Sequence, residues 1–276
     1  MKKIPVLSFL LIVLILFLVS ITIIRQKTTP IVSSFCKERY VSLSEDSMNF
    51  LFDTGANMTV FYADTMPEYF YYLNSLIVKD ISGNQILAKQ IFSFYPKLGF
   101  MRGNLKTVCL LSQKYQWGGY NGIIGTDLID KNNWLIDFRK GKIYSDSLPL
   151  KKKTDMSIHY ESDNGLYYAD FEIEGINYPR ILIDTGYDRS DFMFRNLNLK
   201  QINSMRFCKE DSCYGVVGNG FPIKIYQKSN NKINGTNFAN ITYAVSESHN
   251  TVGILFFKRF SYIVWNTKEQ VIECFY

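Results

Sequence analysis

Phe50-Leu51-Phe52-Asp53-Thr54-Gly55-Ala56 is an apolar run that ends abruptly in Asp-Thr-Gly. The same event recurs at Ile181-Leu182-Ile183-Asp184-Thr185-Gly186-Tyr187, 131 residues further on. Average residue usage predicts roughly 0.05 chance copies of this tripeptide in a chain of this length. Two copies, each closing an apolar strand, point instead to one structural unit used twice. Glycine at that place permits a tight backbone path that a side chain would block.

The flanking chain repeats as well. Gly122-Ile123-Ile124-Gly125 follows the first motif, and Thr251-Val252-Gly253 follows the second at nearly the same spacing. Each apolar-Gly step leads into a short amphipathic segment. Then come an apolar strand ending in Asp137 or Asn266, a charged turn and a last strand. The remaining strand signals are β-branched and aromatic runs, among them Lys106–Leu111, Leu166–Ile173 and Val271–Phe275,. Glu174-Gly175 and the segment around Asp80–Asn84 read as hairpin turns. The glycine-rich stretch from Tyr214 to Ile225 reads as a hairpin and lacks the Gly-Lys-Ser/Thr of a phosphate loop,. The fold class expected is all-β, with two duplicated, β-barrel-like halves.

Composition narrows the chemistry. The chain has 276 residues and a net charge of +6, with its basic residues dispersed. Lys151-Lys152-Lys153 reads as a solvated linker, and no basic-aromatic stripe points to nucleic acid,. The two histidines, His159 and His249, stand apart from any Ser, Cys or metal-ligand motif. Histidine triads and histidine-rich zinc sites are therefore poor readings, and catalysis would fall to carboxylates, hydroxyls or backbone. No metal and no cofactor are expected. Of the five cysteines, Cys208 and Cys213 are spaced to staple a short loop in an oxidising compartment,.

Ile4 to Ile24 carries no charge and as a helix reaches about 31 Å, enough to cross a bilayer,. Lysines precede it, Arg25 and Lys27 follow, and no small-x-small cleavage site stands behind it,. Residues 1–27 are expected to form one transmembrane anchor and 28–42 a tether. Residues 43–148 would then be an N-terminal lobe and 149–276 a C-terminal lobe. An N-in anchor places the body outside the cytoplasm as a single-pass membrane protein; cleavage of the segment would make it secreted.

Taken together, Phe52-Asp53-Thr54-Gly55-Ala56 with Ile123-Ile124-Gly125, and Ile183-Asp184-Thr185-Gly186 with Thr251-Val252-Gly253, resemble the aspartic proteases. Both the two-lobed pepsin-like enzymes and the retropepsins are similar, and the lengths of the halves resemble a tandem retropepsin arrangement. The resemblance covers nearly all of the chain after the anchor. It implies a bilobal fold and an endopeptidase in which Asp53 and Asp184 hold a water between them. Thr54 and Thr185 would lock the two loops together. Gly55 and Gly186 would let backbone approach the carboxylates. Hairpin flaps would close over a peptide or protein substrate, with Gly83, Gly218 and Gly220 as flap positions. A monomer is expected. Cys36 and Cys274, near the ends of the body, would pair across a sheet shared by the halves.

Ala56 and Tyr187 depart from the family's usual pattern. Many pepsin-like enzymes place Ser or Thr there, donating to a catalytic carboxylate. Loss of that donor raises the carboxylate pKa and predicts activity at mildly acidic to neutral pH. Tyr187 is also bulky enough to obstruct the second loop. The rival reading is a non-catalytic, membrane-anchored peptide-binding or sensor protein that keeps the two-lobed fold.

Overall fold

The structure, a computed structural model, describes residues 31–35, 40–45, 48–80, 83–93, 106–116, 118–146, 153–197, 199–215, 220–247 and 249–276. The expected anchor at Ile4–Ile24 lies outside them. Among the described residues no helix is long and apolar enough to cross a membrane.

The fold is all-β, in two sheets. The first half of the chain forms β1 (Val32–Ser34), β2 (Ser42–Glu45), β3 (Met48–Phe52), β4 (Val60–Tyr62) and β5 (Tyr71–Lys79). It continues with β6 (Gln85–Ser93), β7 (Lys106–Leu111), β8 (Gly122–Ile124), β9 (Trp134–Asp137) and β10 (Lys142–Ser145). The second half forms β11 (Met156–Asp163), β12 (Leu166–Ile173), β13 (Ile176–Asp184), β14 (Phe192–Phe194) and β15 (Arg206–Tyr214). It ends with β16 (Gly220–Ile233), β17 (Thr236–Val245), β18 (Thr251–Gly253), β19 (Tyr262–Asn266) and β20 (Val271–Phe275). Single helical turns, Thr126–Ile129 and Ile254–Phe257, follow β8 and β18. β1 lies inside the stretch expected to be a plain tether and pairs with β10.

The two halves repeat one strand order. The 7-stranded sheet runs β2-β3-β8-β4-β7-β6-β5, and the larger sheet contains β12-β13-β18-β14-β17-β16-β15. Each step has the same sense in both series. β3–β8 and β13–β18 are parallel, as are β4–β7 and β14–β17, and the other steps are antiparallel. The remaining strands form β1-β10-β9-β19-β20-β11, three from each half, joined where β9 meets β19.

That seam is where the halves are welded. Trp134 and Trp265 sit directly opposite each other on β9 and β19, and both are fully buried. Their indole N–H groups donate to the Ile129 carbonyl at 2.8 Å and the Tyr160 hydroxyl at 3.0 Å. Phe52, the residue before Asp53, packs edge-on against both rings, with centroids 5.2 and 6.5 Å away. One apolar core runs through both halves around this cluster.

Local sequence explains the connections. β11–β12, β12–β13 and β16–β17 turn through Asn164-Gly165, Glu174-Gly175 and Asn234-Gly235, both residues of each pair at positive φ. That is the backbone of a type I′ turn, whose twist matches the flanking strands.

Neither expected disulfide forms. Cys208 and Cys213 lie on the one strand β15, where five residues of extended chain span about 16 Å, well beyond disulfide reach,. Both are free thiols. Cys274 is also free and fully buried in β20, which is flanked on both sides by β19 and β11; Cys36 lies outside the described residues.

Replacing Trp265 by Ala removes the ring that contacts Phe52, Tyr160, Tyr167 and Phe257. The expected loss is about 3–5 kcal/mol, read from urea denaturation, with both halves unfolding in one transition because the seam is shared.

Candidate active site

Asp53 stands at the end of β3 and Asp184 at the end of β13, and each strand is held by its parallel neighbour. The Asp53 N–H donates to the Ile124 carbonyl at 3.0 Å, and Asp184 pairs with Gly253. After each aspartate the chain turns tightly. Ala56 N–H donates to the Asp53 carbonyl and Tyr187 N–H to the Asp184 carbonyl. The Ala56 carbonyl then accepts from Thr126 N–H, and the Tyr187 carbonyl from Ile254 N–H, each at 2.9 Å. The apolar-Gly steps therefore support the two loops in the same way.

The loops are tied to each other through their threonines, both fully buried. Thr54 N–H donates to Thr185 Oγ1 at 3.0 Å, and Thr185 N–H donates to Thr54 Oγ1 at 3.1 Å. Thr54 Oγ1 in turn donates to the Ile183 carbonyl at 2.8 Å, and Thr185 Oγ1 to the Phe52 carbonyl at 2.7 Å. Each hydroxyl thus accepts from and donates to the opposite loop, and all four groups are satisfied by these two side chains.

This tie brings the carboxyl groups together. A Cβ added at Gly55 would lie 2.5 Å from Asp184 Cγ, and one at Gly186 would lie 2.7 Å from Asp53 Cγ. Only glycine fits at either place. Gly55 N–H donates to Asp53 Oδ1 at 2.8 Å and Gly186 N–H to Asp184 Oδ1 at 2.9 Å. The two carboxyl groups also hydrogen-bond to each other.

Burial raises both carboxyl pKa values above the ordinary range. Asp184 rises further, because desolvation is joined by the neighbouring charge of Asp53 and by the hydrogen bond between them. Asp53 is eased back by N–H groups of Gly55, Gly186 and Ala56 and by the carboxyl of Asp184. Both directions favour a single proton held by the pair as a unit,.

Tyr187 does not obstruct the site. Its ring is buried with Met193, Cys213, Ile223, Ile225 and Ala244, beneath the β15–β16 hairpin. Its hydroxyl shares a 2.7 Å hydrogen bond with Ser190 Oγ, which donates onward to the Phe192 carbonyl. The ring lies against Gly253. Tyr187 is a strut between the second loop and its hairpin.

Of the expected flap positions, Gly83 lies in the β5–β6 turn at φ +82°, donating to the Asp80 carbonyl. Gly220 opens β16 opposite Tyr214. Gly218 lies outside the described residues. The two hairpins meet at their ends, where a Cβ at Gly215 would overlap the Asp80 carboxylate. Beside Gly186 a shallow recess is walled by Tyr40, Tyr187, Arg189, Cys213 and Tyr214. Burial pushes the Cys213 thiol up to about 12, so it is an inert wall,.

The group that fixes the second loop from outside has no local signature in the sequence. The buried Asp191 carboxylate accepts from Arg259 Nε at 2.5 Å and Nη2 at 2.8 Å, and from Thr242 N–H and Oγ1. The Asp191 carbonyl accepts the Gly253 N–H. An Asp near an apolar strand and a distant Arg carry no pairing signal in sequence. A comparison with protein-family models and with curated proteins returns no match to this chain.

Two predictions follow from this geometry. Thr185→Val orphans a buried carbonyl and a buried N–H, costing about 2–4 kcal/mol, whereas Thr185→Ser retains the hydroxyl and most of the stability; denaturant midpoints check both. The second concerns pH. The folded chain favours neutral Asp184, so the stability linked to it is complete below the unfolded carboxylate pKa. It is lost as pH rises through the elevated folded value,. Asp184→Asn is therefore expected to melt higher than wild type at pH 8, with the gap closing towards pH 4, in a thermal series across that range.

Proposed function

We propose that the chain is an aspartic endopeptidase with a bilobal fold, whose two halves supply one carboxyl each. The observation that carries this reading is the reciprocal Thr54–Thr185 tie holding Asp53 and Asp184 carboxyl to carboxyl. A like-charged pair so close and so buried binds one proton between them, and one proton on two carboxyls is what general acid–base hydrolysis of an amide needs.

The asymmetry of the pair supports a division of roles within this reading. Asp53, the better solvated by N–H donors, is the carboxylate that takes a proton from a bound water as that water attacks the peptide carbonyl. Asp184 carries the proton and donates a hydrogen bond to the carbonyl oxygen, stabilising the charge that develops there,. Proton return to the leaving amine restores the pair. The hairpins that meet at Asp80 and Gly215 are the flaps, and they exclude water from an extended peptide laid beneath them,. The position of the Tyr187 ring, packed under the turn half of the second hairpin, supports the catalytic reading over the sensor reading. The apolar run at Ile4–Ile24 would hold this enzyme to a membrane with its body outside the cytoplasm.

The decisive experiment compares wild type with Asp53→Asn and Asp184→Asn on a mixed peptide library, with cleavage followed by mass spectrometry. Each variant is expected to lose at least about a thousandfold in kcat/KM, since either change removes the acid or the base; equal cleavage by all three proteins defeats the mechanism. A second measurement is the pH profile. Falling pH protonates Asp53 and rising pH deprotonates Asp184, and both groups are raised. A bell whose maximum lies above the ordinary carboxylate range is expected,, and a maximum at pH 2–3 would contradict the assignment.

A further inference from the structure

Among the described residues each sheet ends in two open strands, and the four ends are built differently. β1 and β2 are short, 3 and 4 residues, and they lie together, Ser44 N–H donating to Ser33 Oγ at 2.7 Å. β15 is long but carries Arg206, Lys209, Glu210 and Asp211 within its 9 residues. Charges on an edge strand discourage further pairing. β5 holds the equivalent position in the repeated strand order and has the same length, yet reads Tyr-Tyr-Leu-Asn-Ser-Leu-Ile-Val-Lys. Its one charge, Lys79, is at its end. Tyr71, Tyr72 and Leu73 are each at least half exposed, Ile77 is 65% exposed, and Leu87, opposite Ile77 on β6, is 72% exposed. A long apolar edge with a charge only at its end is a template for another strand.

We propose that β5 is a docking edge for a second copy of this chain, the two β5 strands pairing antiparallel about a two-fold axis. Four physical features favour that occupant. The first is self-complementarity: a two-fold antiparallel ladder uses the same edge on both copies and closes after one pairing. The second is charge. The chain carries +6, which sets copies against each other across most surfaces, but Tyr71 to Val78 is uncharged and antiparallel pairing sends the two Lys79 side chains to opposite ends. The third is area. Five half-exposed apolar side chains at on the order of 100 Å² each cover about 1,000 Å² over two copies, the lower bound of a specific interface. The fourth is geometry. The register of β5 on β6 shifts only between Tyr72 and Asn74, so Asn74–Lys79 is a regular run whose other side pairs with no strand among the described residues. On this proposal the assembly is a dimer with one continuous sheet, in contrast to the monomer expected from the sequence, and it holds whether or not the aspartates hydrolyse peptides.

The test uses the full chain in detergent micelles at about 10 µM, a concentration at which a specific interface is occupied. Sedimentation velocity is expected to give a dimer, and amide exchange along Asn74–Lys79 is expected to slow as concentration rises. Leu73→Lys with Ile77→Lys is expected to give a folded monomer, with far-UV circular dichroism unchanged and dimer affinity weakened at least about 100-fold. Phe207→Lys on the charged edge β15, where Phe207 is 52% exposed, is expected to remain dimeric. Four outcomes overturn the proposal. One is a monomeric wild type. Another is a dimer that survives the β5 lysines, which places the contact elsewhere, the N-terminal segment included. A third is β5 protection that does not depend on concentration, which makes another part of the chain its cover. The last is protection that appears only on adding phosphatidylcholine vesicles, which makes the partner a lipid surface.

Discussion

Everything at the centre of this molecule depends on two threonine hydroxyls. Two carboxyl groups do not approach each other spontaneously; desolvation and like charge both oppose it. Thr54 and Thr185 overcome this by making each loop the hydrogen-bond partner of the other, with four bonds between 2.7 and 3.1 Å in a fully buried setting. Without that tie, Phe52 and Ile183 carbonyls and two N–H groups would be buried and unpaired. The carboxyl pair is thus held by groups that have no better alternative. The glycines complete the constraint, because any side chain at Gly55 or Gly186 would occupy the space of the opposite carboxyl.

The tie works because it is anchored in a repeated frame. β3 and β13 are each flanked by the parallel strand of their own apolar-Gly step, and Trp134 and Trp265 join the frames at one seam. Phe52 touches both tryptophans immediately before Asp53, so core packing and carboxyl placement are one structure. The repeat is not exact in chemistry. The first loop carries Ala56 where the second carries Tyr187, whose ring supports a hairpin. The second loop is further braced by the buried Asp191–Arg259 pair. Removing one partner of such a pair is costly because a charge is left buried alone.

The legible parts of the sequence were those with a local signal. Apolar runs ending in Asp-Thr-Gly gave β3 and β13 and the residues of the carboxyl pair. β-Branched and aromatic runs gave Lys106–Leu111, Leu166–Ile173 and Val271–Phe275 to the residue. β11 was passed over although Met156, Ile158 and Tyr160 alternate inward and Asn164-Gly165 marks its turn; its polar residues outweighed the period. The cysteine pairs failed for a different reason. Spacing in sequence carries no information on whether the intervening chain is a loop or a strand, and in β15 it is a strand. The direction of the Tyr187 ring was equally hidden, since it depends on a hairpin contributed by residues that come later in the chain.

Near-symmetry with small differences leaves the two carboxyls of the pair inequivalent. In a perfectly two-fold site neither carboxyl would be the better acid, and the proton would divide equally between them. Here the backbone breaks the tie: N–H groups of Gly55, Gly186 and Ala56 favour the charge on Asp53, while Gly186 and Tyr187 alone serve Asp184. The same contrast appears in the hairpins, where β15 is charged and β5 is apolar at matching places in the strand order. Duplication supplies two carboxyls on one axis. The differences between the copies then make the two carboxyls unequal at the centre and set a charged edge strand against an apolar one at the periphery.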